Sequence, residues 1–445
     1  MVNIIPFHMP LTDSEEEDNY EMGFAMSRLG VEEEEKEEFF QCDEASSINI
    51  MPNKTRVYID NDIHQITKLG TKPDEHLRRV LPGERVSPSV STVRMLAGRE
   101  FNYSGKGRFS FADCRHVVSR YLPVYGPWEI DRFNTRAYVS QFSADGSLLV
   151  AGSQGSHIKI YNVEKDWKVQ KDILAKSLRW TVTDTSLSPD QRYLVYASMS
   201  PFVHIVDIGS ATKESHANVT SDVNTVCFAD ETGHLIYSGS DDNLCKVWDR
   251  RCIGKGKPAG VLMGHLEGIT FIDSRGDGRY FISNGKDQTI KLWDIRKMPS
   301  NASSSSSSSS SSGMQFRNYE WDYRWMEYPP RARNMKHPCD QSLSTYRGHS
   351  VLRTLIRCYF SPAYSTGQKY IYTGSNDGCV YIYDLVSGNQ VARLDHHSQT
   401  VRDCSWHPFN PMLVSCSWDG VIARGEFPGT GEKVRRKRIR RKYEN

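Results

Sequence analysis

Two stretches, Ser238-Gly-Ser-Asp-Asp-Asn-Leu-Cys-Lys-Val-Trp-Asp249 and Ser283-Asn-Gly-Lys-Asp-Gln-Thr-Ile-Lys-Leu-Trp-Asp294, align without a gap and begin 45 residues apart. In each, polar turn residues precede alternating apolar and polar positions that end at Trp-Asp, a pattern typical of a half-buried strand after a tight turn. A repeat of this length, with several short strands, indicates an array of similar β units. The chain is therefore predicted to be an all-β repeat protein.

Looser copies extend the repeat on both sides. The equivalent positions are 161, 206, 248, 293, 383 and 425, with spacings of 45, 42, 45, 90 and 42 residues. The doubled spacing contains ten consecutive serines, Ser303–Ser312. We interpret this interval as an inserted loop, since a tract of one small polar residue cannot build a packed strand.

The repeats resemble those of the WD-repeat β-propellers, in which each repeat forms a four-stranded blade. Gly264-His265 and Gly348-His349 match the dipeptide that opens a repeat, and His397 holds the same place before the last copy. The resemblance implies seven blades, the commonest closure in the family. Six copies cover residues 136–427, so we expect residues 85–135 to build the missing blade, partly by pairing with the strand near Val421–Phe427.

In that family a His, a strand Ser or Thr, a turn Asp and the Trp form a buried hydrogen-bond chain within a blade. The physical reason is that a buried carboxylate must be satisfied by donors, which His and Trp provide. We therefore interpret the recurring polar residues as structural rather than catalytic: His265, Ser283, Asp287, Trp293, Asp242, Trp248, His349, Asp377 and Asp419.

Signatures of enzymes, metal sites and membrane spans are absent from the sequence. It contains no Walker loop, no Gly-x-Ser-x-Gly elbow, no His-Glu-x-x-His and, among ten cysteines, no Cys-x-x-Cys pair. Cys404-x-x-His407 has no matching second pair. Apolar runs fall short of the roughly 18–20 residues of a membrane helix. We expect a non-catalytic intracellular protein without cofactor, metal or membrane contact, whose function lies in binding other chains.

Basic residues follow two Trp-Asp pairs at the same distance. Arg251 follows Trp248-Asp249, and Arg296 follows Trp293-Asp294. This ending resembles the box in substrate receptors of cullin-4 ubiquitin ligases, and it implies that Arg251 and Arg296, with Asp249 and Asp294, contact the damaged-DNA-binding-protein-1 adaptor. The planar guanidinium suits such a role because it pairs with carboxylates in two-pronged fashion. Arginines at these positions also occur in propellers that have no ligase role.

Several further stretches resemble one subfamily, the damaged-DNA-binding-protein-1 and cullin-4-associated factor 11 (WD-repeat protein 23) group with its plant relatives. They are Trp321–Trp325, Thr345–Ser350, Thr354–Pro362, Val401–Phe409 and Ser415–Gly420. The resemblance, which runs from about residue 85 to 427, implies a substrate receptor whose partners are the adaptor, the cullin-4 ligase and a protein substrate. The aromatics of Trp321–Trp325 either pin the insert to the propeller or contact the substrate.

A helix is predicted within residues 109–122, where Cys114, Val117, Val118 and Tyr121 have helical spacing. By the resemblance this helix docks into the adaptor; equally, it could plug the end of the propeller.

The net charge of +2 is a sum to which the two ends of the chain contribute charges of opposite sign. Residues 1–44 hold 14 acids and 2 bases, and residues 433–445 hold 8 bases and 1 acid. A basic cluster of this kind indicates a nuclear import signal or a nucleic-acid contact. Tyr443 is its only nearby aromatic, which argues against base stacking, so direct nucleic-acid binding is not expected. We assign nuclear import, and a nuclear and cytoplasmic location, to Arg435, Arg436, Lys437, Arg438, Arg440, Arg441 and Lys442.

The chain is thus divided into four parts: an acidic, mostly disordered region 1–84, an adaptor-docking or blade-completing segment 85–135, a propeller 136–427 with a Ser-rich insert near 299–343, and a basic tail 428–445. Its predicted function is that of a substrate receptor of a cullin-4 RING ubiquitin ligase. The alternative is a nuclear WD-repeat scaffold in an RNA or chromatin complex.

Overall fold

The structure is a computed structural model. It describes residues 62–73, 90, 92–102, 105, 107–154, 157–175, 182–187, 191–198, 202–208, 214–218, 223–249, 251, 258–298 and 321–427. The acidic stretch 1–44, the serine run and the basic tail lie outside the described residues, so what is predicted for them stays a prediction. No helix in the described part of the chain is long and apolar enough to span a membrane.

Six antiparallel four-stranded sheets, called blades 1 to 6 in chain order, account for the strands of the described residues. Blade 1 has β2 Ala137–Phe142, β3 Leu148–Ser153, β4 His157–Asn162 and β5 Lys168–Leu174. Blade 2 has β6 Val182–Leu187, β7 Tyr193–Ser198, β8 Phe202–Asp207 and β9 Glu214–Asn218. Blade 3 has β10 Val223–Phe228, β11 Leu235–Ser240, β12 Cys245–Asp249 and β13 Gly260–Leu262.

Blade 4 has β14 Ile269–Ser274, β15 Tyr280–Gly285, β16 Thr289–Asp294 and β17 Ser344–Tyr346. Blade 5 has β18 Cys358–Phe360, β19 Tyr370–Gly374, β20 Cys379–Asp384 and β21 Gln390–Asp395. Blade 6 has β22 Val401–Trp406, β23 Met412–Ser417, β24 Val421–Glu426 and, as its outer strand, β1 Tyr125–Arg132. The α-helices are α1 Asp62–Gly70, α2 Thr92–Glu100, α3 Phe111–Val118 and α4 Ala363–Thr366; short 3-10 turns span Ile295–Lys297 and Ala332–Asn334.

Blade 6 joins the two ends of the propeller sequence. Strand β1 pairs antiparallel with β24, from Arg132 opposite Val421 to Tyr125 opposite Glu426. Blade 6 then packs on blade 1, where the Asp403 carboxylate accepts the backbone N–H of Ser140 at 3.1 Å. The all-β WD-propeller prediction is confirmed, as is the pairing with the last strand.

The described residues form six sheets, whereas the resemblance implies seven blades. Residues 85–135 supply α2, α3 and the single strand β1, and β1 completes a sheet that the last repeat leaves one strand short. The physical reason is that the open edge of β24 leaves backbone N–H and C=O groups unpaired, and β1 pairs with them. Another difference is α1, since residues 62–73 belong to the region expected to be mostly disordered.

The core lies between the blades. Every residue of β15 and β16 is buried, because both faces of blade 4 are covered by neighbouring blades. Phe281 and Trp293 face blade 3, in one cluster with Tyr237, whereas Ile282 and Leu292 face blade 5, in one cluster with Phe360. Alternate residues of a strand thus serve two different interfaces.

Since neighbouring strands run in opposite directions, the loops divide between two faces of the disc. The arginine face, as we call it, holds the loops from first to second and from third to fourth strand, and contains Arg251 and Arg296. The histidine face holds the loops from second to third strand and from one blade to the next, and contains His265, His349 and His397.

Candidate functional site

Blade 4 contains the complete polar chain that the repeat predicts. The two ring nitrogens of His265 lie 3.1 Å from the Asp287 carboxylate and 2.7 Å from Ser283 Oγ. The indole N–H of Trp293 donates to the same Oγ at 2.8 Å. Burial alone would raise the pKa of Asp287, but His265 and the N–H of Leu266 hold it below its usual range. These side chains are fully occupied with each other, so they hold the blade and offer no free group for chemistry.

Blades 3 and 6 carry shortened versions of this chain. In blade 6, His397 lies 3.2 Å from the Asp419 carboxylate and 2.8 Å from Ser415 Oγ, and Gly425 stands where blade 4 has Trp. In blade 3, the Trp248 indole N–H donates to Ser238 Oγ at 2.8 Å, while Asp242 accepts the N–H of Leu244 at 3.1 Å.

Blade 5 departs from the expected pattern. His349 lies 3.1 Å from the Tyr383 hydroxyl and 3.1 Å from Asn284 Oδ1, whereas the Asp377 carboxylate accepts the Tyr381 hydroxyl at 2.8 Å and pairs with Arg393 at 3.1 Å. The structure thus places His349 and Asp377 in separate networks. The cause is Tyr383, which replaces the Trp of the repeat and brings a hydroxyl to the ring of His349.

On the arginine face, Arg251 folds back on Asp249. Its Nε and Nη2 donate to the two carboxylate oxygens at 2.9 and 2.7 Å, and its backbone N–H donates at 2.9 Å. These bonds lower the pKa of Asp249 to about 2. The Arg251 side chain stays 64% exposed while that of Asp249 is 18% exposed, so the aspartate fixes a guanidinium that faces solvent.

Arg296 repeats this arrangement one blade further on, with a larger set of charges. Its Nη2 lies 3.0 Å from Asp294 and 2.9 Å from Asp62, and its side chain is 59% exposed. Arg279 also contacts both carboxylates, at 2.9 Å from Asp294 and 2.8 Å from Asp62. Burial raises the pKa of Asp294, and Arg279 opposes that shift. We call Asp62, Arg279, Asp294 and Arg296 the four-charge cluster.

Asp62 and Arg279 were missed by the repeat pattern. Asp62 begins α1, which lies far from the repeats in sequence, and Arg279 lies in a turn that the Trp-Asp alignment does not mark. The only sequence signal for α1 is its apolar spacing, with Ile63 fully buried in the cluster of blades 4 and 5. Ile66 and Leu69 of the same helix are 47% and 62% exposed.

Helix α3 confirms the helix predicted within 109–122. Ser110 caps it, since its Oγ accepts the N–H of Asp113 while the Asp113 carboxylate accepts the N–H of Ser110. The first residue, Phe111, is 70% exposed and lies 6.5 Å from the Tyr364 ring, which in turn lies 4.9 Å from the Phe409 ring. Because Tyr364 and Phe409 occupy loops between first and second strands, this exposed aromatic group belongs to the arginine face.

The insert connects the third and fourth strands of blade 4, yet its aromatics contact loops of the opposite, histidine face. The Tyr323 carbonyl accepts the N–H of Arg353, in the connection between blades 4 and 5, at 2.7 Å. The Lys286 ammonium, in a turn between second and third strands, lies 4.1 Å from the centre of the Tyr323 ring. The two tryptophans differ, because Trp321 is 8% and Trp325 72% exposed.

Among the described residues no group of three or more His, Cys, Asp or Glu side chains could hold a metal ion. Cys404 and His407, the nearest approach in the sequence, have other surroundings. Cys404 is buried in the core cluster shared by blades 5 and 6, and His407 Nε2 lies 3.2 Å from the Gly146 carbonyl.

Comparison with known proteins places these features in a family context. The model of the WD domain, G-beta repeat, matches residues 210–249, 256–294, 340–384 and 388–423. The chain is 59% identical to the LEC14B homolog of Prunus armeniaca over 90% of this chain and 95% of that protein. It is 57% identical to the LEC14B protein of Lithospermum erythrorhizon, over 92% and 98%. It is 42% identical to the DDB1- and CUL4-associated factor 11 homolog of Caenorhabditis briggsae, over 76% and 72%.

Proposed function

The chain belongs to the WD-repeat family of the LEC14B proteins and the DDB1- and CUL4-associated factor 11 homologues, and from this membership we propose that it is a non-catalytic substrate receptor of a cullin-4 RING ubiquitin ligase. It binds the DDB1 adaptor through its arginine face and presents a target protein for ubiquitination. Its contribution to the reaction is proximity and orientation, since it makes and breaks no bond itself.

The strongest support for the proposal is the arrangement of the two arginines that follow Trp-Asp. Arg251 and Arg296, in consecutive blades, project from the same face, are 64% and 59% exposed, and are each held by the aspartate two residues earlier. A guanidinium fixed in this way loses little conformational entropy on binding, and its planar fork has the geometry that suits carboxylates of a partner.

The rest of the arginine face supports the same use. Leu69 of α1 and the group of Phe111, Tyr364 and Phe409 expose apolar area there, between 42% and 70% for each side chain. Aromatic and arginine side chains are the residues in which interface binding energy concentrates. A partner that covers this face would bury apolar anchors beside two ordered cations.

Pull-down of the DDB1 adaptor tests the proposal. Wild type is expected to recover the adaptor, and the Arg251→Ala/Arg296→Ala variant to lose it. The matched control is Arg132→Ala/Arg393→Ala, which removes two ion-paired arginines that are 55% and 52% exposed but lie on outer strands. Failure of wild type to bind, or equal binding by the first variant, would contradict the receptor role.

The alternative, a nuclear scaffold in an RNA or chromatin complex, is favoured by the basic run 433–442 alone. Retention on an RNA column that depends on this run and collapses with salt is its expected signature. We further propose that Arg435, Arg436, Lys437, Arg438, Arg440, Arg441 and Lys442 direct nuclear import. Deletion of 433–442 from a fluorescent fusion is then expected to shift the protein from nucleus to cytoplasm, and an unchanged distribution would refute it.

A further inference from the structure

The boundary between blades 2 and 3 is built differently from the other boundaries between blades. Within the described residues, a hydrophobic cluster joins each of the pairs 1 and 2, 3 and 4, 4 and 5, 5 and 6, and 6 and 1, but none joins blades 2 and 3. The described strands of blade 2 likewise pack extensively on blade 1 and not on blade 3. Blade 3 therefore turns toward blade 2 a face that lacks the cover a blade receives from its predecessor.

The exposure of the first strand of blade 3 shows the difference directly. Val226 of β10 lies opposite Ser238 of β11 and is 65% exposed, and Phe228 on the same side is 59% exposed. The residues equivalent to Val226 in the other five blades are at most 2% exposed: Ser140, Thr185, Ile272, Cys358 and Cys404. Two large apolar side chains that remain side by side in water mark an interaction surface.

The other residues of this face follow from the strand register, because directly opposite residues of an antiparallel pair point to the same side. The open face, as we call it, consists of Val226, Phe228, Ile236, Ser238, Lys246 and Trp248. Lys246 pairs there with Asp242, and their side chains are 28% and 39% exposed. On the equivalent face of blade 4, which packs on blade 3, Phe281 and Trp293 are fully buried. The open face thus has the residues of a packed interface, but in the described part of the chain no blade packs against it.

We propose that the open face binds the open face of a second copy of this chain. A two-fold pair brings one patch of each copy together, so that patch must complement itself. The apolar side chains of the open face can pack on the same side chains of the other copy, as in the packing of two sheets. Its one cation and one anion, Lys246 and Asp242, can each pair with the opposite charge across the interface. A two-fold contact also closes on itself, so it yields a dimer and no filament.

The size of the open face sets the expected affinity. Strands β10 to β13 have six, six, five and three residues. With about 3.3 Å per residue and about 4.8 Å between strands, the sheet offers roughly 300 Å² per copy. This is less than half of the roughly 800 Å² per partner of a standard interface, so we expect a weak dimer that dissociates in the micromolar range. Two linked arginine faces would bind a bivalent target more tightly than one; this consequence rests on the proposed function, whereas the dimer does not.

Sedimentation velocity of the full chain tests the dimer. Wild type is expected to pass from monomer to dimer between roughly 1 and 100 µM. Val226→Glu/Phe228→Glu is expected to stay monomeric, because carboxylates cannot be buried against each other without partners. The matched control, Val169→Glu/Leu174→Glu, changes two apolar side chains of the outer strand β5 that are 47% and 62% exposed, and is expected to dimerise like wild type. All four positions are exposed, so each variant is expected to keep the urea midpoint of wild type.

Reversal of single charges tests the face-to-face arrangement. Lys246→Asp leaves two acids on the open face and Asp242→Lys leaves two bases, so each variant alone is expected to stay monomeric. An equimolar mixture is expected to regain the dimer, because the acids of one copy then meet the bases of the other. A dimer of either variant alone, or none in the mixture, would contradict this arrangement.

Two further results would overturn the proposal. One is a dimer that Val226→Glu/Phe228→Glu retains or that the control also loses. The other is a wild type that stays monomeric throughout, including one in which a Phe228→Cys thiol resists maleimide because another segment of the chain covers the face. The adaptor pull-down separates the two proposals. Recovery of DDB1 by a chain that never dimerises refutes only the dimer, whereas a dimer that recovers no DDB1 refutes only the receptor role.

Discussion

Blades 3 and 4 carry aligned copies of one twelve-residue motif, yet its side chains have different surroundings in each blade. In blade 4 the turn aspartate, Asp287, is 3% exposed and bonded to His265. In blade 3 the equivalent Asp242 is 39% exposed and pairs with Lys246. Trp293 is fully buried, whereas Trp248 is only partly buried. The motif thus fixes the turn and the strand, while the neighbouring blades decide how much stability it contributes.

Arg251 in blade 3 and Arg296 in blade 4 also occupy equivalent positions with different surroundings. Arg251 makes a two-pronged pair with Asp249, and Arg296 sits in a cluster that reaches α1 through Asp62. The repeat places both side chains on one face, but a helix outside the repeat changes the electrostatic surroundings of only one of them.

The largest expected difference between the blades is in stability. Trp293→Ala removes a fully buried ring and the donor to Ser283, and is expected to lower the free energy of unfolding by about 3–5 kcal/mol. Trp248→Ala is expected to lower it by about half as much, because part of that ring already faces water. Urea titration with a common m-value measures both. Equal losses would show that the blades are equivalent after all.

The next effect concerns the position where blade 3 has Cys227 and blade 4 has Asp273. The Asp273 carboxylate accepts the N–H of Phe360 at 2.8 Å, and burial raises its pKa to about 7. The unfolded carboxyl ionises near pH 4. Because the folded state therefore holds its proton to higher pH, stability is expected to fall between about pH 4 and pH 7 and then to level off.

Asp273→Asn is expected to remove this decline, which amounts to about 2–4 kcal/mol over that interval. The amide oxygen can still accept the N–H of Phe360. Urea unfolding at a series of pH values measures the difference, with Asp166→Asn, an exposed aspartate of blade 1, as the control. A parallel pH profile for Asp273→Asn and wild type would rule out Asp273 as the titrating group.

The smallest effect is the coupling between Asp62 and the arginines. A double-mutant cycle of Asp62→Ala with Arg296→Ala is expected to give about 0.5–1 kcal/mol of coupling in the free energy of unfolding, since the pair is exposed. The same cycle with Arg251→Ala is expected to give none within error. Coupling of equal size in both cycles would mean that Asp62 acts through the fold rather than through its contact with Arg296.

The fold was largely predictable because its signals are local. The 45-residue spacing, the Trp-Asp endings and the placement of Arg251 and Arg296 on equivalent loops follow from strand alternation within one repeat. The four-charge cluster was not predictable, because Asp62 lies 217 residues from Arg279 and 234 from Arg296 in the chain. The hydrogen-bond partner of His349 was not predictable for the opposite reason, since one local replacement, Tyr383, supplies a hydroxyl to its ring.

The pairing of β1 with β24 has a consequence for how the protein is made. Tyr125 pairs with Glu426, which is synthesised about 300 residues later. At typical synthesis rates of roughly 5–20 residues per second, blade 6 therefore stays incomplete for about 15–60 seconds. During that time the surface of β2 that packs against β22 in the finished chain is uncovered. The nascent chain, more than the mature disc, is therefore the form that depends on chaperones.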